Sequence, residues 1–330
     1  MPIATPMRGA GRVASSFLIM QFSLALALGG ARLKARLAHT KRSLADGLQA
    51  AFWACAGTAA AIRLCGLPWR FGANAALDRA RAVTWAGNHR RILGVPARLR
   101  YASVARRRLA LHSALYHTEP GLMAMIADCA ATLARTRDER VPGGTPCIFA
   151  PLHVCADAVA AMTVAMVAPR RTHVYSIYPD GYFGASQMIR LQACGLELIQ
   201  HHPDEAPAQQ RAMIRELRAG TANLVIFPDI LPQFTTGLLG RQMRTRPVSL
   251  FGRPARLHCG AEELARLAGA TVIPFYIHWA DGRLAIRVFD PCADTDGVAR
   301  CIEQALREHG DQWLLWHFPS LFYFNDGADR

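Results

Sequence analysis

Acidic residues are scarce in this chain: 24 Asp and Glu stand against 38 Lys and Arg, nearly all of them Arg, for a formal charge of +14. Such a deficit favours an anionic partner, whether nucleic acid, an anionic bilayer or an acidic carrier protein. Nucleic acid is the poorest of the three, because no nucleic-acid-binding motif accompanies the charge. The nine cysteines (55, 65, 129, 147, 155, 194, 259, 292 and 301) contain no Cys-x-x-Cys pair. Their odd number in a chain of 330 residues argues against a disulfide framework and for a reducing compartment. Cys and His fall at no zinc-ligand spacing, so no metal is expected, and no cofactor motif is evident. Internal repeats and low-complexity tracts are missing as well. With 52% hydrophobic residues the chain can bury a sizeable core, which sets it apart from a disordered protein.

A long hydrophobic run is also lacking. The nearest approach, Val13 to Leu28, is sixteen residues, short of the ~20 that cross a hydrocarbon core. Arg8 and Arg12 precede it; Arg32, Lys34, Arg36, Lys41 and Arg42 follow. A signal peptide, a marginal membrane helix, an in-plane amphipathic anchor and a buried helix of the main fold all fit this pattern. The basic cluster after the run favours retention of that side in the cytoplasm. Residues 1–41 are therefore expected to attach the protein to the inner face of the cell inner membrane.

Residues 42–141 read as a helical cover. Apolar residues recur at three- and four-residue spacing in Arg106 to Leu115 and Leu122 to Leu133, and strand signals are few. Arg98, Arg100 and Arg106 to Arg108 form a basic cluster that suits either solvent or phospholipid headgroups. The texture changes at Val141-Pro142-Gly143-Gly144. Over residues 142–330 short apolar runs alternate with helical patterns: runs at Cys147 to Ala150, His173 to Tyr178, Leu196 to Ile199 and Ala222 to Phe227, helices at His153 to Val167, Gly184 to Ala193, Gln209 to Arg218 and Gly297 to Arg307. Thr271 to His278 and Leu284 to Phe289, joined through Asp281-Gly282, read as a β-hairpin. The expectation is an α/β fold with a mixed, mainly parallel sheet flanked by helices.

In such sheets, polar chemistry gathers where strands end and helices begin. Two junctions qualify: Leu152-His153-Val154-Cys155-Ala156-Asp157, and Asn223 to Phe227 followed by Pro228-Asp229. A His with a carboxylate partner is the combination that turns a hydroxyl into a nucleophile. Cys155 reads as a small packed hydrophobe rather than a nucleophile.

These blocks, with those downstream, resemble the late acyltransferases of lipid A biosynthesis, the lauroyl and myristoyl transferases of the wider glycerolipid acyltransferase superfamily. His153 stands where that family has the His of its His-x-x-x-x-Asp/Glu motif, and Phe227-Pro228-Asp229 resembles its later strand block. Arg246 to Arg253, followed by Leu264 to Phe275, resembles the Phe-x-Gly acceptor loop, helix and Pro-Phe strand; Asp311-Gln312-Trp313-Leu314-Leu315-Trp316 resembles the closing Trp segment. The likeness runs in order over about residues 10 to 320. Asp157 lies four residues after His153, one fewer than the family spacing, and His317-Phe318 replaces the closing basic pair.

The resemblance implies transfer of a fatty acyl chain from an acyl carrier protein or acyl-CoA to a hydroxyl of a glycolipid or other lipid or saccharide acceptor, on an anionic phospholipid membrane. His153 would be the general base and Asp157 the carboxylate that orients it. Arg190, Asp229, Arg246 and Arg253 would bind substrate, with Asp229 alternatively a helix N-cap; Arg241, Arg244, Arg246 and Arg253 crowd what reads as a long loop between Pro232 and Pro254, where they, like Arg190, are alternatively solvated. A catalytically inactive relative that binds lipid or carrier is the second reading.

Overall fold

The structure, a computed structural model, describes residues 75–177 and 185–325. The anchor expected over residues 1–41 and the start of the helical cover lie outside them. No helix among the described residues is long and apolar enough to cross a membrane.

Three helices open the described chain: α1 (Ala75–Leu93), α2 (Tyr101–Tyr116) and α3 (Pro120–Arg140). The carboxylate of Glu119 caps α3, accepting from the Gly121 and Leu122 amides, and Pro120 occupies its first position, where no amide donor is needed. Then follow β1 (Cys147–Pro151), α4 (Asp157–Ala165), β2 (Arg171–Tyr175), α5 (Ala185–Ala193), β3 (Glu197–His201), α6 (Pro207–Arg218), β4 (Asn223–Val225) and α7 (Pro232–Leu239). The chain ends through β5 (Thr245–Leu250), β6 (Arg253–His258), α8 (Gly260–Ala268), β7 (Thr271–Ala280), β8 (Arg283–Val288), α9 (Thr295–His309) and a 3-10 turn, Gly310–Gln312.

The main sheet has the order β3-β2-β4-β1-β7-β8, parallel throughout except for β8, which pairs antiparallel with β7. The α/β class and mixed, mostly parallel sheet thus match the expectation. Every residue of β1 is buried, as a central strand covered by helices on both faces requires. The expected hairpin is present: Asp281 and Gly282 both have positive φ, the conformation that joins two strands with their natural twist.

Two expectations need correction. The helix read from His153 to Val167 spans Asp157–Ala165, so His153 precedes it in a loop. That loop is tight: Cys155 has φ 65° and Val154 donates to the Leu152 carbonyl, a geometry that cannot continue as helix. The arginine-rich stretch from Pro232 to Pro254, read as a loop, contains α7 and the antiparallel hairpin of β5 and β6. The alternation of its apolar positions is broken by Arg246 and Pro247, while the turn residues Phe251 and Gly252, both at positive φ, carried the hairpin signal.

All nine residues of α4 are buried, which fits its Ala-, Val- and Met-rich sequence and its place between the sheet and helices α2 and α3. The segment after α9 is locked to α1, where the Asn88 side-chain amide donates to the Trp316 and Phe318 carbonyls. Trp313 and Trp316 are fully buried and meet edge to face.

On β7 and α9 respectively, His278 and His309 stack with ring centres 3.8 Å apart. Burial, with the neighbouring His309 adding to it, brings the His278 pKa down from 6.5 to about 4. The unfolded chain therefore binds a proton between these values that the folded protein refuses, and stability should fall as pH drops from about 6.5 to about 4, by on the order of 2 kcal/mol from this ring. Urea midpoints at pH 7.5 and 4.5 test this, and His278→Gln should flatten the difference.

Candidate active site

His153 lies two residues beyond β1 and Asp229 four beyond β4, at the carboxyl ends of two neighbouring central strands. This is where an open parallel sheet leaves a crevice. The His153 Nδ1 is 2.8 Å from Asp229 Oδ1. A carboxylate only accepts, so Nδ1 carries the proton and donates. Asp229 Oδ2 accepts from the His153 backbone amide at 2.8 Å and from the Trp313 indole Nε1 at 2.7 Å. Asp229 is wholly buried, and these three donors compensate its charge. No described residue hydrogen-bonds His153 Nε2, and the side chain, 11% exposed, packs its ring against Phe227 at 4.6 Å.

The loop around His153 is held from several directions. Leu152 donates to the Phe275 carbonyl on β7, Cys155 to the Gln312 carbonyl, and Leu314 to the His153 carbonyl. The closing Trp segment therefore fixes both the backbone of the His loop and, through Trp313, its carboxylate. Trp313→Phe keeps an aromatic ring but removes the donor to Asp229, and should lower stability by about 1–3 kcal/mol in urea unfolding, with Trp313→Ala costing more.

Asp157 does not take the role expected of it. At the first turn of α4 its carboxylate is claimed by α2: Arg108 donates from Nε at 3.1 Å and Nη2 at 2.7 Å, and His112 Nε2 from 3.1 Å. Because His153 lies in the loop ahead of the helix, the two side chains do not share a helical face, and no hydrogen bond joins them. Burial works against the Asp157 charge. The His112 hydrogen bond and the Arg108 charge outweigh it, holding the carboxyl far below the usual carboxylate range. Arg108, read as part of a basic cluster facing solvent or headgroups, is thus turned to a buried acid instead, and His112 was not singled out; their four-residue spacing, opposite a lone acid in an otherwise apolar helix, is the signal that could have found the pair.

The remaining candidates sit elsewhere. Asp229 is neither exposed toward an acceptor nor a helix cap, since α7 has Leu231 at its N-cap. Arg190 donates to the Tyr116 carbonyl at 2.7 Å and lies 4.8 Å over the Tyr116 ring. Arg246 pairs with Glu262 at 2.9 Å, and Arg253 on β6 lies 6.0 Å from the Phe324 ring centre. None of the three contacts His153 or Asp229. Arg241 and Arg244, in the same stretch as Arg246, pair with Asp204 and Glu263. Cys155 is buried, and burial pushes its thiol up to about 12, which removes it as a nucleophile near neutrality. No group of His, Cys, Asp and Glu among the described residues has the arrangement of a metal site.

Chemically, the dyad offers an unprotonated imidazole nitrogen of fixed orientation beside a buried carboxylate. Such a pair can withdraw a proton from a hydroxyl or water and return it to a leaving group. No family model matches the chain, and no curated protein is similar enough to count as a relative.

Proposed function

We propose that the protein is a membrane-associated O-acyltransferase of the glycerolipid acyltransferase type. It would move a fatty acyl chain from an acyl carrier protein or acyl-CoA thioester to a hydroxyl of a glycolipid or other lipidic acceptor, at the cytoplasmic face of the inner membrane. The observation that carries this reading is the His153–Asp229 pair, with Nδ1 tied at 2.8 Å and Nε2 unclaimed, at the carboxyl ends of β1 and β4. The order of blocks shared with the lipid A late acyltransferases supplies the substrate class.

In this mechanism the acceptor hydroxyl donates its proton to His153 Nε2 as its oxygen attacks the thioester carbonyl carbon. Asp229, accepting from Nδ1–H, keeps the imidazole in the tautomer that can receive the proton and offsets the charge it gains. The tetrahedral intermediate collapses to the ester, and the departing thiolate takes the proton back from Nε2. No acyl-enzyme is needed, in keeping with the buried Cys155. Ala156 gives α4 no side-chain cap, so the first-turn amides of this helix remain as donors for the carbonyl oxygen as it becomes negative.

Membrane attachment draws support from α1, where Arg79, Arg81, Arg90 and Arg91 are exposed, and from the exposed apolar side chains Val83 and Leu109. Arginines beside apolar side chains suit the boundary between headgroups and acyl chains.

The test incubates the purified full chain with an acyl carrier protein thioester and a glycolipid bearing a free hydroxyl. Ester and free thiol should appear in equal amounts. Free fatty acid without acceptor modification would show a hydrolase instead. An intact thioester, with cellular product lost on deletion of the chain but not on His153→Ala, would show a binding partner; either result overturns the proposal.

A further inference from the structure

Away from the dyad, two cysteines meet where β8 passes into α9. The Cys292 and Cys301 sulfurs are 3.8 Å apart, and no other pair among the described cysteines is in sulfur contact. Cys292 precedes the helix and is fastened to β7 by its amide, which donates to the Val272 carbonyl at 2.9 Å. Cys301 lies on α9, one turn after Gly297. A Cβ at Gly297 would stand 3.1 Å from the Cys292 Cβ and 3.3 Å from its sulfur. The bare glycine is thus the notch through which the Cys292 thiol crosses the first turn of α9 to reach Cys301.

We propose that Cys292 and Cys301 form a reversible thiol–disulfide site, oxidised by a small-molecule disulfide of the glutathione type. The accessibilities divide the roles: Cys292 is half-buried and can meet the reagent, whereas Cys301 is buried with its sulfur against that of Cys292. The Cys292 thiolate attacks one sulfur of glutathione disulfide and releases one glutathione thiolate. The Cys301 sulfur, giving up its proton, then attacks the Cys292 sulfur and expels the second glutathione. The chain loses two protons and two electrons, and the reagent gains both. The two sulfurs lie within reach of each other and either can donate, so a thiolate formed at the more accessible Cys292 is held by the Cys301 thiol. Closing the sulfurs to the ~2.0 Å of a disulfide would bind the α9 N-terminus covalently to the segment held on β7.

Trypsin makes the test direct, because cleavage after Arg287, Arg300 and Arg307 separates residues 288–300 from residues 301–307. The full chain is treated with glutathione disulfide, alkylated and digested without reductant. The expected product is these two peptides joined, two hydrogens lighter than their sum and separated by dithiothreitol. Cys301→Ser should trap glutathione on Cys292, and Gly297→Ala should form the link about tenfold more slowly, because its methyl group displaces the thiol. The exposed Cys194 reports that the reagent has reacted. Unlinked Cys292 and Cys301 in protein modified at Cys194 would overturn the site; unchanged kinetics in Gly297→Ala would overturn the geometry argued for it.

Discussion

His153→Ala should lower kcat for acyl transfer by roughly 10²–10⁴-fold, the span that a positioned general base contributes. The loss should fall on kcat and on kcat/KM alike, since the proton moves only in the transition state. Folding should be affected less. The His153 amide bond to Asp229 and the bonds through its carbonyl and the neighbouring amides are backbone interactions that survive the substitution. What is lost is the Nδ1–H bond to Asp229, whose carboxylate keeps the amide and the Trp313 indole as donors. A circular-dichroism melt beside the kinetic assay separates the two effects.

Asp157→Ala should behave in the opposite way, removing about 3–5 kcal/mol of stability while leaving the dyad intact. The magnitude follows from what is lost: two charge-assisted hydrogen bonds from Arg108 and one from His112 to a carboxylate that is almost wholly buried. It should also remove part of the acid sensitivity. With its folded pKa far below the unfolded value, Asp157 stabilises the protein at pH above about 4, and that contribution disappears as pH falls further. Asp157→Asn should be milder, because the amide oxygen can still accept from Arg108.

Much of the fold could be read from the chain because its signals are local. Alternating apolar runs marked the strands, three- and four-residue spacing marked α2 and α3, and Asp281-Gly282 marked the final hairpin. The β5–β6 hairpin escaped because Pro247, Ser249, Pro254 and Arg256 occupy its exposed face, whose composition is that of a loop. In the site, His153 stood out as a polar residue closing a buried strand. Its partner did not, because Asp157 is nearest in sequence whereas Asp229 is 76 residues away and arrives by the pairing of β1 with β4. Trp313 was equally hidden: an indole in an aromatic-rich terminus gives no sign that its Nε1 will meet a carboxylate 84 residues upstream. The shortened His-x-x-x-Asp spacing therefore says little about the dyad, which is assembled from two strand ends.

The most direct test of that assembly is the kcat of Asp229→Asn set beside that of Asp157→Asn in the full chain. With the Asn oxygen in the place of Oδ2, it still accepts from the His153 amide and Trp313, and its amide nitrogen then faces Nδ1. This turns Nδ1 into an acceptor and moves the ring proton to Nε2, where it blocks the base. A fall of roughly 10²–10⁴-fold for Asp229→Asn, with Asp157→Asn within a few-fold of wild type, is the expected result. Wild-type turnover in Asp229→Asn together with its loss in Asp157→Asn would contradict it.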